Sequence, residues 1–524
     1  MTTITIEKKY LKIPVSNHAV SKKLCFYDAG DENRLVMDFD CKIDTIQPQY
    51  DAYLDVSRFC GRTLQYDIVP HMTVSLEQTE KKELEGLFAE PYRPTVHFTP
   101  QIGWINDPNG MICYHGTYHM FYQYNPCGTE WGNMHWGHAV SRDLLHWEEK
   151  DIALFPDEMG TMYSGSAIED VRNVSGLQRG ELPPMLLYYT AAGDRNLLST
   201  GAVRTQCLAY STDGGETITK YAGNPVLGSV VNHNRDPKVV WVEEIGKYLM
   251  VLYLEEDRYG LYVSENLLDW MPLQELRIPN ESECPDLYCF RLGGKNYWVL
   301  IGASDKYMVG VFKNGKFIPQ TQERQLCYSP LSYAGQSFSG IDGRVLRMTW
   351  EKLRMPCVRV PNQMSVPMEM RLEAGETGCY LTAYPIAELS RLYADTREIT
   401  DRSLDTPVEL PLEQSAYDIR LITDYKNNMT LELFGHCLRF DVQENCIAFG
   451  KIRIPISGNR KQVDVRILAD RCSFEVFADR GRFYACLYAV CDYNLPYLKL
   501  TADEGAPMLQ SLSCHRLHST KSPE

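Results

Sequence analysis

Three short segments each set a carboxylate beside a proline turn: Trp104-Ile-Asn-Asp-Pro-Asn-Gly110, Asn234-Arg-Asp-Pro-Lys238 and Glu281-Ser-Glu-Cys-Pro-Asp-Leu287. Singly, each has a plain structural account. Asp-Pro-Asn-Gly is a strong turn former, because proline presets φ and Asn-Gly tolerates positive φ. Arg235 beside Asp236 reads as a solvated ion pair, and three acids in one loop read as a wet surface loop. Together they form a chemical set. Two carboxyl groups facing a glycosidic bond suffice to cleave it: one attacks or activates water, and the other, its pKa raised by apolar surroundings or a like charge, protonates the leaving oxygen. Sugar subsites also need flat aromatic faces and hydroxyl-binding polar groups. The neighbouring sequence offers Trp104, Tyr122, Gln123, Trp131, Trp136, Tyr163 and Ser164.

The elements that must position these residues read as strands. Arg34–Asp40, Lys247–Leu254 and Ser473–Phe477 alternate in hydrophobicity between Gly, Asn and Asp turns. Helical periodicity is confined to Gln78–Phe88, which reads as a short helix in a linker. Between residues 100 and 360 a turn residue followed by an aromatic and aliphatic strand recurs at Gly116, Pro184, Gly246, Gly294 and Gly343. Three repeats run on into a second shared element, Ser141–Trp147, Ser211–Gly215 and Ser264–Trp270. Five units at blade-sized spacing predict a five-bladed β-propeller, whose channel gathers residues from every blade at one end; a β-sandwich with coincidental turns is the alternative. All-β architecture is expected throughout: an N-terminal β-domain over 1–92, the propeller over 93–375 and a C-terminal β-sandwich over 385–524.

Composition restricts the partners. The 524 residues carry 53 Lys+Arg against 68 Asp+Glu, a formal charge of −15, which argues against nucleic acid or an anionic membrane and for a neutral small-molecule substrate. No run approaches the roughly 18 apolar residues of a membrane span, and the N-terminus lacks a secretory apolar core. The 17 Cys form no C-x-x-C pair and read as reduced, buried thiols of a cytoplasmic protein.

The run His97–Gly110, followed by Phe121–Pro126, Trp131-Gly, His135–Ala139, Tyr163–Ser166, Arg235-Asp-Pro237, Glu283-Cys-Pro-Asp286, Tyr333–Phe338 and Gln363–Ser365, resembles glycoside hydrolase family 32, the invertases, inulinases and levanases. Ser473–Gly481 is similar to the family's sandwich domain. The resemblance implies a retaining double displacement on a terminal β-fructosyl unit of sucrose or a short fructo-oligosaccharide, with no metal or organic cofactor. It implies Asp107 as nucleophile, Glu283 as general acid/base, and Asp236 as transition-state stabiliser supported by Arg235, which would keep Asp236 ionised. Asn106, Gln123, Trp131, Tyr163 and Ser164 match the fructose pocket, and Trp350 a residue closing it. Two positions depart from the pattern: Tyr163 stands where the family commonly has Phe, and Ser282 where Trp is frequent.

Other residues have structural readings. His115 and His119 lie in a strand, where their spacing makes no metal-ligand face; His135 and His138 brace the rim of the site; Cys284 is a small packing residue. Fructan exo-hydrolysis, fructosyl transfer, an inverting propeller pentosidase and a non-catalytic sugar-binding protein remain as alternatives. A homo-oligomer is left open.

Overall fold

The computed structural model describes the chain except residues 32, 85, 377, 457–461 and 522–524. Among the described residues it holds strands and three short 3-10 helices. Five antiparallel sheets form the propeller. Their first strands, Trp104–Tyr114, Thr161–Glu169, Arg235–Val242, Asp286–Leu292 and Ser332–Ser337, pack on one another in sequence, and the fifth returns to the first. Closure is by backbone: Cys113 N–H donates to the Ser339 carbonyl (2.9 Å) and Ser339 N–H to that of Met111 (2.9 Å).

The repeat read from sequence is the blade itself. Gly116, Pro184, Gly246, Gly294 and Gly343 each lie in the turn before the second strand of a sheet. The serine element ends the third strand of the first three blades, where the hydroxyls of Ser141, Ser211 and Ser264 accept N–H groups of Leu144, Gly215 and Leu267 at 2.8–2.9 Å. The last strand of the fifth blade, Tyr380–Pro385, runs beyond the span expected for the propeller and ends on the first residue of that expected for the sandwich.

Two six-stranded sheets make the sandwich, around a core that includes Ile419, Leu431, Val465 and Phe474. A second cluster joins sandwich residues Leu468, Phe477 and Tyr484 to propeller residues Tyr122, Met348 and Met364, so the two share buried apolar surface. At that junction the buried His97 ring meets Asp470 (2.9 Å) and Glu475 (3.2 Å).

Residues before the propeller form a four-stranded and a three-stranded sheet over a core including Leu11, Phe26, Leu54 and Ile68. Among the described residues of Gln78–Phe88 the expected helix does not form. Glu77–Thr79 instead pairs with Tyr10–Lys12, and Gly86, at φ 67°, leads into a 3-10 turn at Leu87–Ala89. The charged stretch offers too little apolar face to sustain a helix against an available strand edge.

Candidate active site

The site residues stand where the inner strands are irregular. Register slips between Ile105 and Pro108, Tyr163 and Gly165, Arg235 and Lys238, and Tyr333 and Gln336. Such bulges lift a residue out of the pleat and re-aim its side chain. Asp107, Ser164 and Asp236 lie within the first three. Asp236, Glu283, Cys284 and Ala334 hold positive φ of 64°, 55°, 38° and 51°, strain that non-glycine residues keep only where the surroundings enforce it. Gly165 has no alternative, since a Cβ there would collide with the Tyr188 carbonyl.

These irregularities bring the three predicted carboxylates together. Asp107 accepts bonds from Ser164 Oγ (2.6 Å) and Asn106 Nδ2 (3.0 Å). Asp236 accepts the Cys284 N–H (2.9 Å), and its own N–H donates to Thr190 Oγ1 (3.0 Å). The Cys284 thiol lies 3.4 Å from both Asp107 Oδ2 and Asp236 Oδ2, so a single sulfur spans the two acids. Burial and those acids push the thiol well up; it is a weak donor, not a nucleophile. Glu283 takes Arg235 Nη2 at 2.5 Å and the Tyr333 hydroxyl at 2.6 Å.

The electrostatics differ from expectation. Arg235 stands 3.9 Å from Asp236 and closer to Glu283. Burial therefore prevails at Asp236, and with Glu283 and Asp107 nearby it pushes the carboxyl up to about 7 despite Arg235. Burial also raises Asp107. At Glu283 burial is outweighed by Arg235 and Tyr333, and its pKa is lowered. The acid expected to be protonated is thus favoured in its ionised form, and the one expected ionised is pushed toward protonation.

The other two acids of the third segment leave the site. Asp286 is fully buried against Lys238 (2.9 Å), and Glu281 is buried among the Ser282 N–H, the Ser304 hydroxyl and the Lys306 N–H (2.8–2.9 Å). The wet loop read from sequence is therefore a buried brace. Trp104 and Trp350 meet edge to face at 5.8 Å, and Tyr333 lies 6.3 Å from Trp350, making one aromatic wall. Trp131, 52% exposed, lies 6.0 Å from Tyr163, and Arg204 stacks over Tyr163 at 5.7 Å. Gln123 is buried and bonds to the Asn109 amide at 2.9 Å when that amide presents its oxygen.

Tyr333, Lys352 and Arg204 belong to the site although sequence reasoning gave them no role. Tyr333 lay inside a quoted motif; Lys352, 3.9 Å over the Tyr333 ring, and Arg204 carry no local signal. His138 does not reach the rim. It stacks on Phe121 at 4.2 Å and bonds His119 (3.0 Å) inside the first blade, and burial lowers His119 to about 4. A 960 Å³ cavity lined by Phe88, Phe98, Trp147, Glu149, Lys150 and Lys521 contains none of the three carboxylates.

Residues 97–384 match the family model described as the Glycosyl hydrolases family 32 N-terminal domain. A levanase from Bacillus subtilis is 32% identical over 489 residues, 82% of this chain and 71% of that protein. An invertase from Schizosaccharomyces pombe is 37% identical over 260 residues, 45% of this chain and 44% of its own length. The crystal structure of an exo-inulinase from Aspergillus awamori is similar with a TM-score of 0.74 at 26% identity, covering 83% of this chain and 100% of that one. A five-bladed propeller with three carboxylates at one end, joined to a β-sandwich and matched over its catalytic span, places the chain in glycosyl hydrolase family 32.

Proposed function

We propose that this family 32 glycosidase is a retaining β-fructofuranosidase that releases terminal fructosyl units from sucrose or short fructo-oligosaccharides. The observation that carries the reading is the linkage of Asp107 to Asp236 through one thiol while Arg235 sits between Asp236 and Glu283. In the proposed reaction Asp107 attacks the anomeric carbon and Glu283 protonates the departing glycosidic oxygen. Water then cleaves the fructosyl ester with Glu283 as base. Burial pushes the Asp236 carboxyl up to about 7, within reach of a proton at neutral pH. Sugar hydroxyls that donate to Asp236 favour its ionised form, draw Arg235 toward it and free Glu283 to take up a proton.

Likeness to a levanase supports fructan exo-hydrolysis as the second reading. Incubation with sucrose, 1-kestose, inulobiose and levan separates the two by relative kcat/KM. Fructose from none of the four would end both. Methanolysis followed by NMR tests the stereochemistry, with methyl β-fructofuranoside expected; the α-anomer would refute the double displacement. We propose a cytoplasmic location with reduced thiols, to be checked by fractionating source cells.

A further inference from the structure

The N-terminal strand Arg34–Cys41 is the free edge of its sheet, and an edge strand offers unpaired backbone groups that must be covered. Here the propeller covers them. The Asp40 N–H donates to Asn133 Oδ1 and the Asp40 carbonyl accepts from Asn133 Nδ2, both at 2.8 Å, so one side chain imitates a strand partner. The neighbours on either side are engaged as well. The Asp38 carboxylate accepts the N–H groups of Leu197 (3.1 Å) and Leu198 (3.3 Å). Phe39 stacks on His135 at 5.8 Å and 10°, the Cys41 thiol donates to the Cys127 carbonyl (3.4 Å), and Lys42 Nζ reaches Glu130 Oε1 (2.6 Å).

Apart from His135, which opens the strand His135–Ser141, the propeller partners fall on two loops. One carries Trp131 between the anchors Cys127, Glu130 and Asn133; the other, held at Leu197 and Leu198, runs on to Arg204. Both loops reach Tyr163, whose ring meets Trp131 edge to face and lies beneath the Arg204 guanidinium, next to the Ser164 that bonds Asp107. The Trp131 loop is braced from within by Asn125, whose Oδ1 accepts the Cys127 N–H and Asn133 Nδ2 and whose Nδ2 donates to the Glu130 carbonyl; five consecutive residues of another unit add a second set of anchors. We infer that Asp38–Lys42 are positioning residues for the mouth of the site, holding Trp131 and the loop leading to Arg204 so that the sugar binds a preformed wall. The inference rests on the fructosidase reading for its substrate.

The test is Asp38→Ala/Lys42→Ala in the full chain, with Asp38→Asn/Lys42→Gln as the conservative counterpart. Amide exchange at Leu197 and Leu198 should quicken at least about tenfold, and that of residues 127–133 should follow. KM for the best fructoside should rise about three- to tenfold with kcat within about twofold, and the conservative variant should recover part of the loss. In a Trp131→Ala background, Lys42→Ala should raise KM no further, as expected when both act through one group. Unchanged exchange, or quickened exchange with unchanged KM, overturns the proposal. If the parent hydrolyses no fructoside, the functional reading fails separately, and the exchange result still decides whether these residues hold the loops.

Discussion

Two carboxylate clusters among the described residues differ in what surrounds them. At the mouth of the propeller, Asp107 and Asp236 share the Cys284 thiol, and Asp236 and Glu283 share Arg235. At the junction with the sandwich, Asp470, Glu475 and Glu351 share His97. The junction acids sit on or beside regular strands. Asp470 receives the N–H groups of Thr95 and Val96 at 2.9 Å as well as His97 Nδ1, and despite burial these hold it well below the usual carboxylate range. Burial alone would neutralise His97; Asp470 and Glu475 outweigh it and keep the ring charged. That His97 nitrogen and the oxygens of Glu351 and Glu475 lie within 4.8 Å of one another suits a cation, and the imidazolium supplies the positive charge. At the mouth, by contrast, the acids stand on bulges and positive-φ residues, and Asp107 and Glu283 are only partly buried. Strain and access, more than the inventory of charges, separate the reacting cluster from the strut.

The sharpest way to break this contrast is to neutralise one acid in each cluster. Asp107→Asn should lower kcat by at least about 10⁴-fold and Glu283→Gln by about 10²- to 10⁴-fold, with thermal unfolding little changed. A fructoside with an activated leaving group should recover much of the Glu283→Gln loss, because protonation of the leaving oxygen then matters less. Normal turnover in either variant removes the assigned role. Asp470→Asn should do the converse: about 3–5 kcal/mol of stability lost, read from denaturant unfolding, because His97 is left buried with one counter-charge fewer. Whatever fraction remains folded at low temperature should keep a near-parental KM.

Much of this was legible in the chain. The bulged carboxylates announced themselves because Asp-Pro and Cys-Pro turns are locally determined, and the blade repeat did so because each second strand needs a turn before it. What was hidden depends on residues distant in sequence. Glu281 and Asp286 look like a solvated acidic loop until Ser304, Lys306 and Lys238 are folded onto them. The inverted ionisation of Asp236 and Glu283 follows from a guanidinium that reaches past its sequence neighbour to an acid 48 positions away. The Asp38–Lys42 clamp carries no motif, since its partners are backbone groups of Leu197, Leu198 and Cys127 and the scattered side chains of Glu130, Asn133 and His135.

Removing that guanidinium sharpens the comparison within the mouth. Without Arg235, the dominant influence on Glu283 is the burial it had been opposing, so its pKa should rise. Arg235→Gln should therefore move the alkaline limb of kcat/KM to higher pH, while kcat falls about 10- to 100-fold from weaker support of Asp236. An unshifted limb would mean that Arg235 does not set the ionisation of Glu283 in the working enzyme.

The smallest expected effect tests the strut. Burial first, and then the neighbouring Glu475, push Glu351 from 4.5 up to about 8, against the influence of His97. Between those values the folded chain holds a proton that the unfolded chain has released, so stability falls as pH rises, by about 1.4 kcal/mol per unit from this group alone. His97, raised on folding above 6.5, acts in the same direction: its contribution is complete below that value and is lost as pH climbs through the folded pKa. Glu351→Gln keeps an acceptor for Gln363 Nε2, which now bonds the carboxylate, and offers Glu475 an N–H in place of the acid proton. The variant should match the parent near pH 5 and unfold at higher temperature than the parent at pH 8, with a flatter curve between. Parallel curves would show that Glu351 carries no proton at the junction and that the strut is a plain pairing of His97 with its two acids.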